Sequence, residues 1–591
     1  MRVYGTRLVE FVRALLRDPR SRVGTVDVLD QFGRRQVPAV PPATSASVPD
    51  TTLGELFPRL AAAAPDAVVA DAERPSYQEL DRRVAAVVGT GGKPAVELAG
   101  GGVGSMPLLP AGRWLLQTGG PINRFAMSMV LRTPDGLDEA GLVAAVTALL
   151  ERHDLLRARL LAGEGVLTAL PVGAVSAASL VHRVSGAGEQ ALAAEVDAAG
   201  GRLDPAAGVV AQFVWFVDAR CLAVVVHQLV VDGVSWRVLV PDLASAWEQT
   251  SQGRPVVLPA VGTSVRRWAI GLLMESVSPA RVAELGFWRG LLGGDDPLLG
   301  SRRIHPGVDT MATVESLRVA LPTGVLTEAV GRFGCGVDEV LLAGLGLALA
   351  RWRGERAPRL VRLAGHGRQD EVVAGADLSR TVGWLTCVFP VRLDVSGVDV
   401  AEAFAGGAAA GQAVELVKER MRAVPGNGIG YGLLRHLNER TSVELAGLAQ
   451  PQIGFNYLGQ FSQADLGGWS SLRVLNDVLV TPDARMPALS PLELNVMVSD
   501  GAAGAEVTAL VSFASRLLTR VEVEACVELW QQALVGLVRH AARQDRGGLR
   551  PSDVPLGGEP KGSPRQVSGR PASAWSPCLE PPRVRSRTTG Q

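Results

Sequence analysis

From Met106 to about Pro555 the chain alternates helical and strand patterns without a long break. This alternation restricts the possible folds of the chain more than any other feature of the sequence. The segment GLVAAVTALLERH has apolar residues at the spacing of one helix face, and LLAGLGLALA is apolar enough for a buried helix. The runs VVAQFVWFV and CLAVVVHQLVV are rich in β-branched residues and have the length of strands. With 591 residues, 47% of them hydrophobic and 20% charged, the chain resembles an ordinary soluble globular protein of roughly two to four domains. These patterns predict a large mixed arrangement of helices and strands.

The charge balance excludes some partners. Lys plus Arg and Asp plus Glu both number 59, so the formal net charge is zero and no field attracts nucleic acid or an anionic membrane. No apolar run approaches the ~20 residues of a membrane helix, and Glu10 and Arg13 interrupt the N-terminal apolar pattern where a signal peptide would be uninterrupted. We therefore expect a cytoplasmic protein that binds neither nucleic acid nor a membrane.

The five cysteines give no metal site and no disulfide framework. Their number is odd and no C-x-x-C occurs, so we expect buried free thiols in a reducing compartment and no bound metal. The residues are Cys221, Cys335, Cys387, Cys526 and Cys578.

Two linkers and a tail divide the rest of the chain. Residues 37–50 are rich in Pro and Ser, and residues 89–104 are rich in Gly, so both are predicted to be linkers. Residues 557–591 combine many prolines with basic and polar residues and lack apolar periodicity. We expect this tail to be disordered, because it cannot bury enough apolar surface to order itself.

The segment VVVHQLVVDGVSW places a histidine and an amide inside an apolar run. Taken alone, His227 is most simply a hydrogen-bonded core histidine. If the strand continues, His227 and Gln228 face opposite sides of the sheet and cannot both reach one cavity.

This segment resembles the His-His-x-x-x-Asp signature of the condensation superfamily of non-ribosomal peptide synthetases, and DGVSW resembles its epimerisation branch. Six further stretches resemble the family's motifs in the family's order. They are PLLPAGRW, ERHDLLRARL, AGHGRQDE, SRTVGWLTCVFPVRL, GNGIGYGLLR and IGFNYLGQF.

The resemblance implies an α/β fold of two chloramphenicol-acetyltransferase-like halves that form a V-shaped pseudo-dimer around a central cleft. The halves are expected at residues 105–275 and 276–556. The implied substrate is an aminoacyl or peptidyl thioester on the phosphopantetheine arm of a carrier protein supplied in trans, with other synthetase modules as further partners. No cofactor is expected to be bound by this chain itself. The epimerisation branch removes and returns the proton at Cα, which needs a base and a proton donor.

Both proton-transfer positions of the family are changed here. The second histidine of the signature is Gln228, and the glutamate before Gly-His-Gly is Ala364. An amide has no basic lone pair near neutral pH, and a methyl group has no proton chemistry. Because a positioned acid or base contributes roughly 10²–10⁴-fold, we expect a degenerate active site with impaired activity.

The remaining motif positions are candidates for structural or substrate-binding roles. We expect His227 and Asp232 to be structural, Asp232 through an ion pair, and His366 is the one candidate for a substitute base. The candidate cleft residues are Ser235, Trp236, Arg368, Asn456 and Tyr457, although packing is the better interpretation of Trp236.

Two fragments precede this region. Residues 1–36 resemble the end of a condensation domain, and residues 51–88 resemble the start of an adenylation domain. The chain is thus interpreted as a truncated synthetase fragment from secondary-metabolite or antibiotic biosynthesis. Three alternatives stay open: a working epimerase that uses His366 or a water as base, a non-catalytic module that docks a carrier protein, and a decayed gene product without a role.

Overall fold

The computed structural model describes residues 97–98, 101–185, 189–354, 357–461, 468–473, 480–501 and 504–543. The predicted remnants, the 37–50 linker, the tail, Cys578 and most of the 89–104 linker lie outside these residues. The other four cysteines are buried and free, which confirms the expectation for them.

The first part of the domain contains seven strands and five helices. In chain order they are β1 (Gly104–Pro107), α1 (Pro110–Thr118), β2 (Ala126–Arg132), α2 (Glu139–Arg152), β3 (Ala158–Leu161), β4 (Val166–Ala169), β5 (Val181–Val184), α3 (Glu189–Gly201), β6 (Ala211–Phe216), β7 (Cys221–His227), α4 (Trp236–Ser251) and α5 (Val265–Glu275).

The second part continues with short helices and then a large sheet. Its elements are α6 (Pro279–Ala283), α7 (Leu285–Leu292), β8 (Val314–Leu321), α8 (Val330–Phe333), α9 (Val337–Arg353), β9 (Arg359–Gly365), β10 (Cys387–Leu393), α10 (Val400–Ala405), α11 (Ala408–Arg422), α12 (Ile429–Gly432), α13 (Glu439–Ala446), β11 (Ile453–Phe461), β12 (Ser470–Arg473), β13 (Leu492–Gly501), β14 (Gly504–Ala514) and α14 (Arg520–Arg543).

Three sheets organise the described residues. One has three antiparallel strands in the order β1-β4-β3, and one has five strands in the order β12-β2-β7-β6-β5. The third has six strands in the order β10-β9-β11-β13-β14-β8, with β11 parallel to both of its neighbours. The predicted mixture of helices and strands is therefore present as two sheet-centred halves. The expected boundary at residue 275 coincides with the last residue of α5 and stays a prediction.

The five-stranded sheet is covered on both faces, which explains why β7 is apolar at nearly every position. Val224 and Val226 pack with α2 and α4 in the main core. Ala223 and Val225 point to the other face and pack with residues of α3. A strand whose two faces are both buried reads as a continuous apolar run.

The six-stranded sheet has one apolar face and one partly exposed face. On β9, Val361 and Leu363 are buried, whereas the alternate residues Arg362 and Ala364 are partly exposed. Helices α9, α11 and α14 pack together and contact strands β8 and β10. The predicted buried helix LLAGLGLALA lies within α9 and is almost wholly buried.

The two halves share one sheet. Strand β12 follows β11 in the chain, yet it pairs with β2 and so becomes the edge strand of the five-stranded sheet. The five-stranded sheet is thus completed by a strand from the second part of the chain.

No single helix of the described residues is long and apolar enough to cross a membrane; one bent pair, Val325–Phe333 with Val337–Arg353, passes that test by length and composition.

Candidate functional site

His227 is the last residue of β7 and its side chain is wholly buried. Its Nε2–H donates to the carbonyl of Ile122 at 2.8 Å, and its Nδ1 accepts the N–H of Leu229 at 3.1 Å. Burial lowers the pKa of His227 to about 4. Both ring nitrogens are therefore engaged with the backbone, and the ring is neutral near pH 7.

Gln228 does not continue the strand, contrary to the sequence expectation. It begins a 3₁₀ turn over Gln228–Val230, and its backbone N–H donates to the carbonyl of Phe125 at 2.8 Å. The sequence predicts a strand to Val231, but the 3₁₀ turn that begins at Gln228 ends the strand at His227. His227 and Gln228 still differ in environment, because the Gln228 side chain is half-buried and has no hydrogen-bond partner within the described ranges.

Asp232 and Arg368 join the two halves beside these positions. The Arg368 Nη1 and Nη2 atoms lie 2.8 and 3.0 Å from the Asp232 carboxylate, and both side chains are at least nine-tenths buried. The same carboxylate accepts the N–H and Oγ–H of Ser235 and the N–H of Leu385. This network fixes the turn after β7 against the segment after β9.

Ser235 and Trp236, two of the candidate cleft residues, are both buried. Ser235 exchanges hydrogen bonds with the backbone of Gly383, both at 3.2 Å, so it is another link between the halves. Trp236 begins α4 and is 2% exposed within the apolar core of the first half. The turn after Asp232 directs both side chains inward, which corrects the assignment of Ser235 to the substrate surface and agrees with the packing interpretation of Trp236.

Ala364 lies in a row of residues that crosses the partly exposed face of the six-stranded sheet. It pairs with Val388 on β10 and with Asn456 on β11, and Asn456 pairs in turn with Asn495 on β13. Residues paired across adjacent strands share a face. The methyl group of Ala364 therefore lies in the same row as two amides.

The preceding row contains an ion pair. Arg362 Nη2 contacts the Glu493 carboxylate across Gly454, where a Cβ atom would lie 1.9 Å from Glu493 Oε2. The Trp114 ring of α1 lies against the guanidinium of Arg362, 4.8 Å from Cζ to the ring centroid. Because α1 belongs to the first half, this face of the sheet borders the space between the halves.

His366 follows β9, and its Nδ1 atom, like that of His227, accepts a hydrogen bond from the backbone. Its Nδ1 accepts the backbone N–H of Arg368 at 2.9 Å, so any proton on the neutral ring is on Nε2. Burial, followed by the charge of Arg368, lowers the pKa of His366. Its basic lone pair is therefore occupied by the backbone.

Tyr457 differs from the expectation that it lines the same cleft surface as Asn456. The two are successive residues of β11, so their side chains point to opposite faces. Burial, with a contribution from Asp338, raises the pKa of Tyr457 to about 12, and its phenol stays protonated at neutral pH.

Sequence reasoning missed Arg362, Glu493 and Asn495. Glu493 and Asn495 are polar residues at alternate positions of the otherwise apolar run LELNVMV, and this period of two was a readable signal of one partly exposed strand face. Arg362 carries no comparable signal, because its partner comes from a strand 131 residues away.

No group of three or more His, Cys, Asp or Glu side chains in the described part of the chain could hold a metal ion.

The sequence is similar to a known family over most of its length. The sequence model of the condensation domain matches residues 105–546. A linear gramicidin synthase polypeptide from Brevibacillus parabrevis is 32% identical over 475 residues, which are 77% of this chain and 6% of that polypeptide. Tyrocidine synthase 2 from the same organism is 26% identical over 553 residues, 90% of this chain and 14% of that protein. The chain thus spans only a small part of these relatives.

Solved structures share the fold. The epimerization domain from the third module of tyrocidine synthetase B superposes with a TM-score of 0.65 at 24% identity, covering 75% of this chain and 99% of that one. The X-domain from teicoplanin biosynthesis gives a TM-score of 0.55 at 21% identity, with 74% and 95% coverage. These similarities confirm the predicted α/β fold of two chloramphenicol-acetyltransferase-like halves. Since the family model covers most of the chain, the protein belongs to the condensation-domain family of non-ribosomal peptide synthetases.

Proposed function

We propose that this chain is an epimerisation-type member of its family that recognises carrier-bound aminoacyl or peptidyl thioesters but transfers the Cα proton poorly. The observation that carries the proposal is the contrast between an intact scaffold and missing proton-transfer groups. Asp232, Arg368 and Ser235 hold the site together, whereas Gln228 and Ala364 supply neither a base nor an acid.

The two histidines near these positions are poor substitutes for the missing groups. His227 uses both ring nitrogens for backbone hydrogen bonds, and His366 uses Nδ1. A lowered pKa keeps a histidine neutral but also makes it a weaker base. Neither side chain is therefore well suited to remove a Cα proton.

We infer the binding partner of this chain from the family to which it belongs. The substrate thioester is carried on the phosphopantetheine arm of a carrier protein that acts in trans, in the cytoplasm, with other synthetase modules upstream or downstream. The arm is part of the substrate and is not a resident cofactor of this chain. Within the chain we retain the division into remnants at 1–36 and 51–88, linkers at 37–50 and 89–104, halves at 105–275 and 276–556, and a tail at 557–591.

The decisive measurement is deuterium uptake at Cα. The purified chain is incubated in heavy water with a carrier protein loaded with an aminoacyl or peptidyl thioester, and uptake is read by mass spectrometry. We expect very slow uptake with the wild type. Gln228→His combined with Ala364→Glu should raise the rate about 10²-fold or more, because each restored group depends on the other.

The single variants are the controls for this experiment. Gln228→His and Ala364→Glu alone should each exchange more slowly than the double variant. If the wild type already exchanges as fast as the double variant, the site is competent and a different base operates. Binding of the loaded carrier without exchange in any variant would instead identify a docking module.

A further inference from the structure

Asn456 and Asn495 form an amide pair in the space next to Ala364. They are direct neighbours on the parallel strands β11 and β13, and Asn456 Nδ2 donates to Asn495 Oδ1 at 3.2 Å. Both side chains are partly exposed on the sheet face that borders the space between the halves.

The hydrogen-bonding capacity of this pair is only partly used. Each carboxamide carries two N–H donors and one oxygen acceptor. Within the described residues the one hydrogen bond of these side chains is the bond between them. It leaves the Asn456 oxygen as an acceptor and the Asn495 NH₂ group as a donor. If both amides were turned so that their oxygen and nitrogen atoms exchanged places, one acceptor and one donor would still be left side by side.

An acceptor beside a donor is complementary to one residue of an extended peptide. The N–H and C=O of such a residue point to the same side, as they do toward a neighbouring strand in an antiparallel sheet. A free aminoacyl group also has an N–H donor and a carbonyl, but its donor is a charged ammonium, which loses hydration when it is placed against neutral amides. The polar pair therefore discriminates between substrates according to the group on nitrogen.

We propose that Asn456 and Asn495 bind the backbone N–H and C=O of a peptidyl substrate, so that this site accepts N-acylated thioesters in preference to free aminoacyl thioesters. The inference rests on the proposed function and specifies its substrate class. Asn456 accepts the amide N–H, and Asn495 donates to the carbonyl of the same residue, beside Ala364 in the row across the sheet.

The ion pair beside the amides supports a fixed binding surface. The Arg362–Glu493 pair spans Gly454 in the adjacent row, and Trp114 covers Arg362 from the first half. The charges of Arg362 and Glu493 are already paired with each other. The two amides are therefore the polar groups in these two rows that still have unused hydrogen-bonding capacity. A neutral peptide group fits this surface better than a charged one.

Binding, rather than turnover, tests the inference, so a catalytically inactive chain can be used. The probes are the pantetheine thioester of N-acetylalanine and the matched thioester of 2-acetoxypropionic acid, in which an ester oxygen replaces the amide N–H. Both contain the same pantetheine amides. We expect the wild type to bind the amide probe about tenfold more tightly by calorimetry, because the ester turns a donor into a second acceptor facing Asn456.

Three variants complete the test. Asn495→Asp keeps the acceptor for Asn456 Nδ2 and removes the donor, and Asn456→Leu removes the acceptor for the substrate N–H. Asn495→Asp should weaken binding of both probes about tenfold, and Asn456→Leu should bring the two affinities within about twofold. Gln252→Leu, at an exposed amide just after α4, should retain the preference for the amide probe.

Other outcomes overturn the inference in recognisable ways. Equal affinity of the wild type for both probes, with both weakened by the variants, would mean that the pair binds the pantetheine amides instead. A preference for the amide probe that persists in Asn456→Leu and Asn495→Asp would place amide recognition elsewhere. Failure of the wild type to bind either probe would refute the proposed function together with this inference.

Discussion

Asp338 has a carboxyl group that the fold buries in the first turn of α9. Its Oδ1 has no hydrogen-bond partner in the described structure, and burial, followed by the charge of Glu339, raises the pKa of Asp338 to about 7. An unfolded Asp ionises near about pH 4. Between about pH 4 and pH 7 the folded state therefore holds a proton that the unfolded state has lost, and stability falls by ~1.4 kcal/mol for each pH unit.

This charge effect predicts that Asp338→Asn stabilises the protein at neutral pH. The variant should unfold at higher urea concentration than the wild type at about pH 7.5, and the difference should shrink steadily as the pH approaches about 4. Glu506→Gln, at an exposed position on β14, is the control and should show no such trend. A wild type that is equally stable throughout this pH range would contradict the assignment of a raised pKa to Asp338.

Single residues also show the limits of reading this site from sequence. Gln228 and Ala364 are identifiable because they depart from motifs whose other positions match. Asn495 lies outside those motifs, and its importance depends on the strand register that places it next to Asn456. The lack of a hydrogen-bond partner for Asp338 Oδ1 likewise results from tertiary packing. The local sequence VDEVLL does not indicate it.

The long secondary-structure elements are predictable because their apolar patterns are strong. Helix α2 buries Leu142, Val146, Leu149 and Leu150 as their spacing predicts. The end of β7 is predicted four residues too late, because the run stays apolar through the turn that follows His227. Strand β12 has only four residues, and its pairing with β2 in the other half is set by tertiary structure rather than by its own sequence.

The turn between β9 and the segment that holds Arg368 depends on one glycine. Gly367 has φ +67°, and a Cβ atom at this position would lie 1.7 Å from the Leu385 carbonyl oxygen. The left-handed conformation alone costs a side chain about 1–2 kcal/mol. The contact with Leu385 is with the backbone, so it cannot be relieved by a change of rotamer.

We therefore expect Gly367→Ala to destabilise the protein by more than about 3 kcal/mol in urea unfolding. Gly165→Ala is the matched control, since Gly165 has φ +64° but no heavy atom lies within 4 Å of its would-be Cβ. It should lose only about 1–2 kcal/mol. Equal losses in the two variants would mean that backbone strain, and not the approach of Leu385, accounts for the effect.

At the scale of the whole molecule, the two halves are tied together by buried and partly buried links. Strand β12 completes the sheet of the first half, and the Asp232–Arg368 pair crosses between the halves. Arg380 Nη2 also donates to Asp242 at 2.6 Å. The motif resemblance predicts two halves and the Asp232 ion pair, but it does not predict the exchanged strand. We expect links of this kind to make the two halves unfold as one cooperative unit.

The variant Asp232→Ala tests whether the two halves unfold together. The substitution leaves the Arg368 guanidinium buried without its carboxylate, which costs about 3–5 kcal/mol. If the halves unfold together, hydrogen exchange measured by mass spectrometry should accelerate to the same extent in β6 and β7 of the first half and in β13 and β14 of the second. Asp135→Ala breaks an exposed ion pair with Arg220 and should change stability by at most about 1 kcal/mol. Acceleration confined to one half in Asp232→Ala would show that the halves open independently, and the ion pair would then align two separate units rather than join them.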